Sequence, residues 1–283
     1  MMAIEPTSVQ RNRMLAQGKS KLTLVQFLFE KDSSPIEDYL GQTQDATLAE
    51  GGSRDHQLKI DQLLSGGEMP YHYLIVDSYP SSQALLQAHE QTREIRQDSI
   101  NEIYGLIVRP NPAIKRIAKG LGFLSSLLTK LLFTSEIKEI NNIQDLSDRF
   151  GPDTDPDAWK VSEFNTGKLD DPFYMMNLNQ FSPPPKRGVG GKAAYNQYSS
   201  RVTPYLISVG GYPDIYGKIL STYIGDQKSQ LSNGWHDFAL VYYPSRISFL
   251  RLMTNIPGGA AEIRRADLKR VVLIPCSTFQ DHT

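Results

Sequence analysis

Two histidines in similar stretches of the chain are the first candidates for chemistry. His72 follows a tyrosine in PYHYLIVDSYPSS, and His236 follows a tryptophan in GWHDFALVYYPSR. An imidazole in such a place can act as a general acid or base near neutral pH, or ligate a metal. A strand histidine beside an aromatic residue also commonly packs and makes one structural hydrogen bond. Asp237, the next residue after His236, points to the opposite face and is not its automatic partner.

A second group of polar side chains is suited to orienting a ligand. Asn177 and Asn179 lie two residues apart on a predicted strand and therefore share one face. Amides there can hold a carbonyl or hydroxyl group of a ligand, or instead cap turns and bond a neighbouring loop. Further donors and an aromatic wall around the same mouth are expected from Tyr198, Arg201, Trp235 and Tyr242.

Several well-known motifs fail on their spacing. The glycine-rich stretch RGVGGKAAY has Ala193 where a P-loop needs serine or threonine, and it lacks the βαβ crossover and later acid of a dinucleotide site. DTDPD resembles the start of a calcium loop, but Ala158 and Phe164 replace the required glycine and glutamate. The sequence has no zinc-spaced Cys/His cluster and no G-x-S-x-G elbow. Neither a metal nor a cofactor is therefore predicted.

Composition and charge exclude further classes. The 283 residues carry a formal net charge of −1, which argues against nucleic-acid binding because a phosphate-binding surface normally needs a basic excess. The single cysteine, Cys276, cannot form an internal disulfide, which favours a reducing, cytoplasmic location. The first residues lack the apolar core of a signal peptide, and no apolar stretch is long enough to predict a membrane-spanning helix.

The two histidine-containing stretches belong to an internal repeat. YPS at 79–81 matches YPS at 243–245, and GG at 51–52 matches GG at 210–211. The spacing between these landmarks is five residues longer in the second copy, which predicts an insertion in a hairpin. Two copies are too few for a solenoid, in which several units must stack to bury a core. The pattern therefore predicts one duplicated supersecondary unit.

Each copy predicts the element order βαββαβ. Short apolar runs rich in β-branched and aromatic residues predict strands, apolar residues at helical spacing predict helices, and the GG pairs end the first helix. The expected elements are 22–29, 34–49, 58–64, 71–79, 81–95 and 103–108, then 173–179, 192–208, 215–224, 235–242, 245–253 with 260–265, and 270–274. This order is the ferredoxin-like arrangement of an antiparallel sheet with helices on one face. Apolar residues on both faces of the strands predict that the two sheets cover each other.

About sixty residues separate the copies, which is far longer than most connections. Within them, residues 114–133 carry isoleucine and leucine at spacings of three and four, and their only charges are positive. That pattern predicts a basic amphipathic helix. Such a helix can lie at a membrane surface, or it can pack across the domain junction or against an oligomer partner.

The second copy resembles a known family through three stretches in order. They are DPFYMMNLNQF, then AYNQYSSRVTPYLISVGG after a glycine loop, and WHDFALVYYPSRISFLRLM, within residues 155–276. They are similar to the family named domain of unknown function 1330, within the dimeric α+β-barrel superfamily. The resemblance implies an α+β fold of two tandem ferredoxin-like βαββαβ domains, packed sheet to sheet as an intramolecular dimeric α+β barrel. This superfamily includes monooxygenases, isomerases, decarboxylating enzymes and haem proteins, so the fold does not fix a reaction.

The predicted organisation has four parts. They are an N-terminal tail (1–20), a first ferredoxin-like domain (21–110), a helical linker (111–154) and a second ferredoxin-like domain (155–283). The boundaries follow from the repeat and from the position of the amphipathic stretch between its copies.

Two functions are compatible with these features. The first is a small-molecule enzyme or binder whose apolar or aromatic ligand lies between a sheet and its helices, or between the sheets. If the protein is catalytic, we expect cofactor-free acid–base chemistry on an apolar carbonyl compound, with His236 as base and Asn177 and Tyr242 orienting the substrate. The alternative is a structural or regulatory module that docks to a membrane surface or a protein partner through residues 114–133. A homo-oligomer is compatible with both.

Overall fold

The structure is a computed structural model of the chain. It describes residues 4–32, 36–61, 70–114, 120, 169–183, 191–225, 231, 234–255 and 268–279. The strands are β1 (Leu22–Glu30), β2 (Ser53–Ile60), β3 (Tyr73–Tyr79), β4 (Ile100–Pro110), β5 (Phe173–Phe181), β6 (Tyr212–Ile224), β7 (Asp237–Tyr243) and β8 (Leu268–Thr278). The helices are α1 (Ser8–Leu15), α2 (Ile36–Ala49), α3 (Ser82–Gln91), α4 (Arg93–Ser99), α5 (Lys192–Ser208) and α6 (Arg246–Asn255).

The strands close into one antiparallel barrel. Its order is β1-β3-β2-β8-β5-β7-β6-β4, and β4 pairs back with β1. Each half contributes four neighbouring strands in the ferredoxin-like order. The halves meet at two seams, where β4 pairs with β6 from Gly105 to Pro110 and β2 pairs with β8 from Leu58 to Ile60. The predicted intramolecular α+β barrel of two tandem ferredoxin-like units is therefore confirmed.

The GG pairs end the first helix of each half in the same way. Gly51 and Gly210 have φ angles of +71° and +80°, in the left-handed region that favours glycine. The amides of the following residues, Gly52 and Gly211, donate to helix carbonyls five residues earlier. These bonds close α2 and α5 and let the chain turn directly into β2 and β6.

The YPS segments begin the next helix in both halves. The Ser81 hydroxyl accepts a hydrogen bond from the amide of Ala84 at the start of α3, and the Ser245 hydroxyl accepts one from Ser248 at the start of α6. Serine is a favoured N-cap because its oxygen satisfies an amide that has no partner within the helix. The matching sequences therefore make matching turns around the barrel.

Apolar side chains fill both faces of the sheet. One cluster joins the halves inside the barrel and includes Phe27, Tyr104, Met176 and Phe238, all fully buried. Two further clusters lie between the sheet and the helices, one in each half. The two-sided burial expected from the strand composition is present, and each half covers the inner face of the other.

Several element boundaries differ from the sequence expectations: 81–95 forms two helices, α3 and α4, and β4, β6 and β8 each begin earlier than expected. β2 begins at Ser53 rather than 58, because its polar first residues pair with β3 and its Arg54 forms a buried ion pair with Asp77 at 2.8 Å. The predicted N-terminal tail contains α1, whose first turn is closed by a Thr7 capping box and whose Met14 is fully buried.

Some expectations lie outside the described residues. They include most of the basic stretch 114–133, the strand end at 62–64 and the helical segment 260–265. Within the part of the chain that is described, no helix is both long and apolar enough to cross a membrane.

Candidate functional site

A cavity of about 470 Å³ lies in the second half, between the outer face of the sheet and the two helices α5 and α6. The main roof residues are Tyr195, Tyr198, Val202, Leu206, Phe249, Leu252 and Met253. Ile114, just beyond the end of β4, also contributes to the wall. The cavity therefore occupies one of the two positions expected for a ligand, while the other, the barrel interior, is packed with side chains.

Strand register arranges the cavity floor in rows across β5, β7 and β6. Asn177, Ala239 and Tyr216 form one row. On one side of this row the floor is apolar, with Met175 and Val241 in register. All five residues line the cavity. The small side chain of Ala239 stands between two polar residues at the centre of the floor.

On the other side of that row the sheet becomes polar and buried. Asn179 and Asp237 are direct cross-strand neighbours, and each is 1% exposed. The Tyr216 hydroxyl donates to Oδ2 of Asp237, and the Nζ of Lys192 lies 3.0 Å from the same oxygen. Burial is the main cause that raises the pKa of Tyr216, and the hydrogen bond to Asp237 raises it further. Tyr216 therefore stays protonated and acts as the donor to a buried carboxylate.

The amide of Asn179 is incompletely bonded. Its Nδ2 donates to the hydroxyl of Tyr195 at 3.3 Å, while its Oδ1 is buried and has no hydrogen-bond partner among the described residues. A buried acceptor without a partner costs about 1–3 kcal/mol, so such a group is unusual in a stable fold. It lies on the same strand face as Met175 and Asn177, which line the cavity.

Asn177 also has spare hydrogen-bonding capacity. Its Nδ2 donates to the backbone carbonyl of Met175 at 3.0 Å. A carbonyl can only accept, so this contact fixes which end of the amide is the nitrogen. Oδ1 is left without a protein partner in the described ranges, and Asn177 lines the cavity.

His236 lies at the beginning of β7 and is exposed. Its Nδ1 accepts the backbone N–H of Phe181 at 2.9 Å, and its ring stacks on that of Phe181 with centroids 5.6 Å apart. Because an amide can only donate, the neutral ring carries its proton on Nε2 and has no second lone pair to serve as a base. This geometry gives no support to general-base catalysis, which stays a prediction from the sequence.

His72 occupies the corresponding place in the first half. Its Nδ1 lies 3.2 Å from Oε1 of Glu30, its side chain is 50% exposed, and its ring meets the edge of Phe29 at 5.2 Å. In both halves the histidine backbone also bridges strands, since its amide donates to the first strand and its carbonyl accepts from the second. Each histidine thus contacts an aromatic side chain of its own half.

The other proposed site residues are divided between the cavity and elsewhere. Tyr198 lines the cavity. Tyr242 packs against Tyr174 and Tyr212, with ring centroids 5.5 and 4.9 Å away. Trp235 is buried in the barrel-interior cluster, and Arg201 is exposed on α5. Asn177 and Tyr198 therefore line the cavity, and Asn179 is buried beside it, one row further along the sheet.

We call the polar floor residues Asn177 and Tyr216, together with the buried polar side chains beside them, the polar end of the site. Sequence reasoning missed four of its residues: Tyr195 and Tyr216, which line the cavity, and Lys192 and Asp237, which lie beside it. The available signal was Asp237, a charged residue at the start of an apolar strand. Alternation puts it on the same face as Ala239 and Val241, and that is the cavity face. The tyrosines gave no signal because the chain contains 14 of them.

The two halves differ at the positions of the buried polar pair Asn179 and Asp237. Strand register places Leu28 and Tyr73 at the positions of Asn179 and Asp237. Both are buried and belong to the cluster under α2 and α3. Gln26, 5% exposed, corresponds to Asn177. The polar pair is thus a feature of the second half and not a requirement of the fold.

Within the described ranges, no three His, Cys, Asp or Glu side chains cluster closely enough to hold a metal ion. No protein-family model matches the sequence, and no curated protein matches it either.

Three solved structures show the level of similarity to known proteins. A protein of unknown function from Rhodopseudomonas palustris is 22% identical with a TM-score of 0.41, over 45% of this chain and 97% of its own. A candidate monooxygenase from Lactobacillus acidophilus NCFM is 7% identical with a TM-score of 0.44, over 92% and 96%. A mutant chlorite dismutase from Candidatus Nitrospira defluvii, in complex with cyanide, is 9% identical with a TM-score of 0.41, over 94% of each chain. These values carry no inference about activity or ligand.

Proposed function

We propose that the second half of the barrel binds a small, largely apolar or aromatic molecule in the cavity beneath α5 and α6. The observation that carries this proposal is the cavity itself. Its volume of about 470 Å³ falls within the range of small-molecule sites. Its walls are mainly aliphatic and aromatic and include a few polar side chains, such as Asn177, Ser199 and Thr203, which is the usual composition of such sites.

The difference between the halves supports the same proposal. In the first half the space between sheet and helices is filled by a buried cluster that includes Tyr39, Leu40 and Leu85. In the second half the floor residue Ala239 replaces Ile75 of the first half, as the strand registers show. A smaller side chain at the centre of the floor leaves room for a guest.

The first experiment looks for a copurified molecule. Protein isolated under native conditions is denatured, and the released small molecules are identified by mass spectrometry. Binding is then measured by displacement of the apolar dye Nile red. Ala239→Met places a larger side chain in the space above the floor. It should weaken dye binding at least tenfold, roughly the effect of losing the apolar area that the dye would bury there.

The matched control is Ile75→Met at the corresponding first-half position. It changes a packed residue to one of similar volume and should leave dye binding unchanged. Wild-type protein that binds neither Nile red nor any copurified molecule would contradict the proposal, as would an Ala239→Met variant that binds as well as wild type.

We make two finer proposals. The second half is a member of the domain of unknown function 1330 family, and the protein catalyses an acid–base reaction on an apolar carbonyl compound. In that reaction His236 would be the base, with Asn177 and Tyr242 orienting the substrate. Once an activity is known, His236→Gln tests this directly. If His236 is the base, the variant should lose turnover and the acid limb of the profile of rate against pH. If His236 has only a structural role, the kinetics should be unchanged.

The alternative function, docking through residues 114–133, depends on residues that are mostly undescribed. Flotation with liposomes of the full chain and of a variant lacking 115–133 remains its test. Flotation of the full chain with anionic vesicles, but not of the variant, would favour docking.

A further inference from the structure

We infer that the ligand presents a hydrogen-bond donor, a hydroxyl or an N–H group, to the polar end of the cavity floor. This inference rests on the proposed binding function and specifies the chemical class of the ligand. It also differs from the carbonyl compound expected from the sequence, since a carbonyl can only accept a hydrogen bond.

The first acceptor is Oδ1 of Asn177. The contact of Nδ2 with the carbonyl of Met175 at 3.0 Å fixes the orientation of the amide. The oxygen has no protein partner in the described ranges, and the residue lines the cavity. A ligand donor would give this oxygen the bond that the described part of the chain does not supply.

The second acceptor is the hydroxyl oxygen of Tyr216, in the same row of the floor. Its single proton is committed to Oδ2 of Asp237. Asp237 is buried and also holds the ammonium of Lys192 at 3.0 Å, so a charged group keeps the tyrosine proton turned away. Any further hydrogen bond to Tyr216 must therefore be one that its oxygen accepts.

A third unpaired acceptor, Oδ1 of Asn179, lies one row further along the sheet. Asn179 is buried beside the cavity and is not one of the residues that line it. Its oxygen is buried without a partner among the described residues, while the other end of its amide contacts the hydroxyl of the cavity residue Tyr195. The first half has Leu28 at this position, fully buried. The fold thus accepts an apolar residue here, and the second half instead keeps an amide with an unmet need for a donor.

The two acceptors of the cavity floor, on Asn177 and Tyr216, discriminate between ligands of one shape. A hydroxyl or N–H group satisfies at least one of them. A carbonyl or ether at the same place brings a further acceptor and leaves every one unpaired. Sites built around buried polar groups reject the analogue that leaves those groups unpaired, and loss of one such bond weakens binding roughly ten- to hundredfold.

The experiment compares four biphenyl ligands by displacement of Nile red from the full chain. They are para-phenylphenol, para-methoxybiphenyl, para-acetylbiphenyl and biphenyl. We expect para-phenylphenol to bind at least tenfold more tightly than the methoxy and acetyl compounds. In Asn177→Leu this preference should shrink severalfold, because one of the two floor acceptors is lost, while biphenyl should bind no more weakly than it does to wild type.

Controls separate this inference from the proposed function. Gln26→Leu makes the corresponding change in the first half and should keep the preference, and Asn177→Asp retains an acceptor and should keep it too. Thermal melting verifies that each variant is folded. Equal binding of all four compounds overturns the donor inference and leaves the binding function intact. Failure of para-phenylphenol to displace the dye from a protein that binds it also overturns the donor inference, whereas a protein that does not bind the dye overturns the binding function.

Discussion

One buried polar residue of the second half is unfavourable for stability. Asn179 keeps a buried oxygen without a partner where the first half has leucine. We predict that Asn179→Leu raises the free energy of unfolding by about 1 kcal/mol, because the cost of the unpaired acceptor disappears while apolar surface is buried. Urea denaturation of the ligand-free protein measures this change.

Gln26→Leu is the comparison for that measurement, since it inserts the same side chain on the matching strand of the first half. A loss of stability in Asn179→Leu of more than about 1 kcal/mol would mean that the amide is satisfied in the folded protein. That result would contradict an unpaired buried acceptor at this position.

Tyr216 links the cavity floor to the pH dependence of folding. Burial and the Asp237 carboxylate raise its pKa from an ordinary value of 10.0. Its contribution to stability is therefore fully present below pH 10 and decreases above it, because the unfolded chain ionises this tyrosine while the folded chain does not. We predict that Tyr216→Phe lowers the unfolding free energy at neutral pH by about 1.5–3 kcal/mol, the cost of removing a donor to a buried charge.

Urea denaturation at several pH values from neutral to above 10 tests both parts of that prediction. The decline in stability with rising pH should be shallower in Tyr216→Phe than in wild type. Tyr212→Phe is the comparison variant, because Tyr212 is only partly buried. Equal slopes in the wild type and the Tyr216 variant would contradict the hydrogen bond to Asp237.

The polar end of the site shows what a sequence can and cannot reveal at this scale. Asn177 and Asn179 were predictable because alternation alone puts residues two apart on one face. The partner strand of Asp237, and therefore its position beside Asn179, follows from register, which no local pattern specifies. His236 was attractive by residue type, but its tautomer is set by a backbone amide of another strand.

At the scale of elements, the matching helix caps explain why the GG and YPS sequences recur in both halves. Gly51 and Gly210 both have positive φ, and a Cβ at Gly210 would also lie 3.1 Å from Cγ of Pro244. We predict that Gly210→Ala lowers the unfolding free energy by about 1–2 kcal/mol, because a non-glycine residue is strained in this conformation. Chemical denaturation gives the value directly.

Gly41→Ala is the matched control, since Gly41 lies inside α2 and a Cβ there meets nothing within 4 Å. That change should stabilise the protein by up to about 1 kcal/mol through helix propensity. A Gly210→Ala variant that is as stable as wild type would show that the cap adopts another geometry.

Element order was predictable because each copy has its own caps and apolar periodicity, whereas element boundaries depended on tertiary contacts. The start of β2 carries Ser53, Arg54 and Asp55, a run that local propensity assigns to a loop. Its strand conformation comes from pairing with β3 and from the buried bond between Arg54 and Asp77. A segment of this kind is identified only when its partner strand is known.

At the scale of the molecule, the halves depend on each other. The barrel interior draws its apolar residues from both, and His56 of β2 bonds Asp214 of β6 at 2.6 Å. A first half alone would expose the inner face of its sheet, including Val25, Phe27 and Val76, together with two unpaired strand edges. In the second half, the inner face of the sheet and the outer strands β6 and β8 cover these surfaces.

We therefore predict that segments 1–114 and 169–283, coexpressed as separate chains, copurify as a one-to-one complex. Either segment alone should self-associate or aggregate, because only another sheet can cover its inner face and edges. Light scattering after size-exclusion chromatography measures each stoichiometry, and the intact chain shows whether the whole protein forms homo-oligomers.

A control complex carries Phe238→Asp, which places a carboxylate at a fully buried position of the shared interior. This change should prevent copurification, because an unpaired charge in an apolar interior is strongly destabilising. If either segment instead proves monomeric and unfolds cooperatively by itself, its sheet does not need the other half. The barrel would then be an association of two independent domains, and the cavity of the second half should bind Nile red without the first.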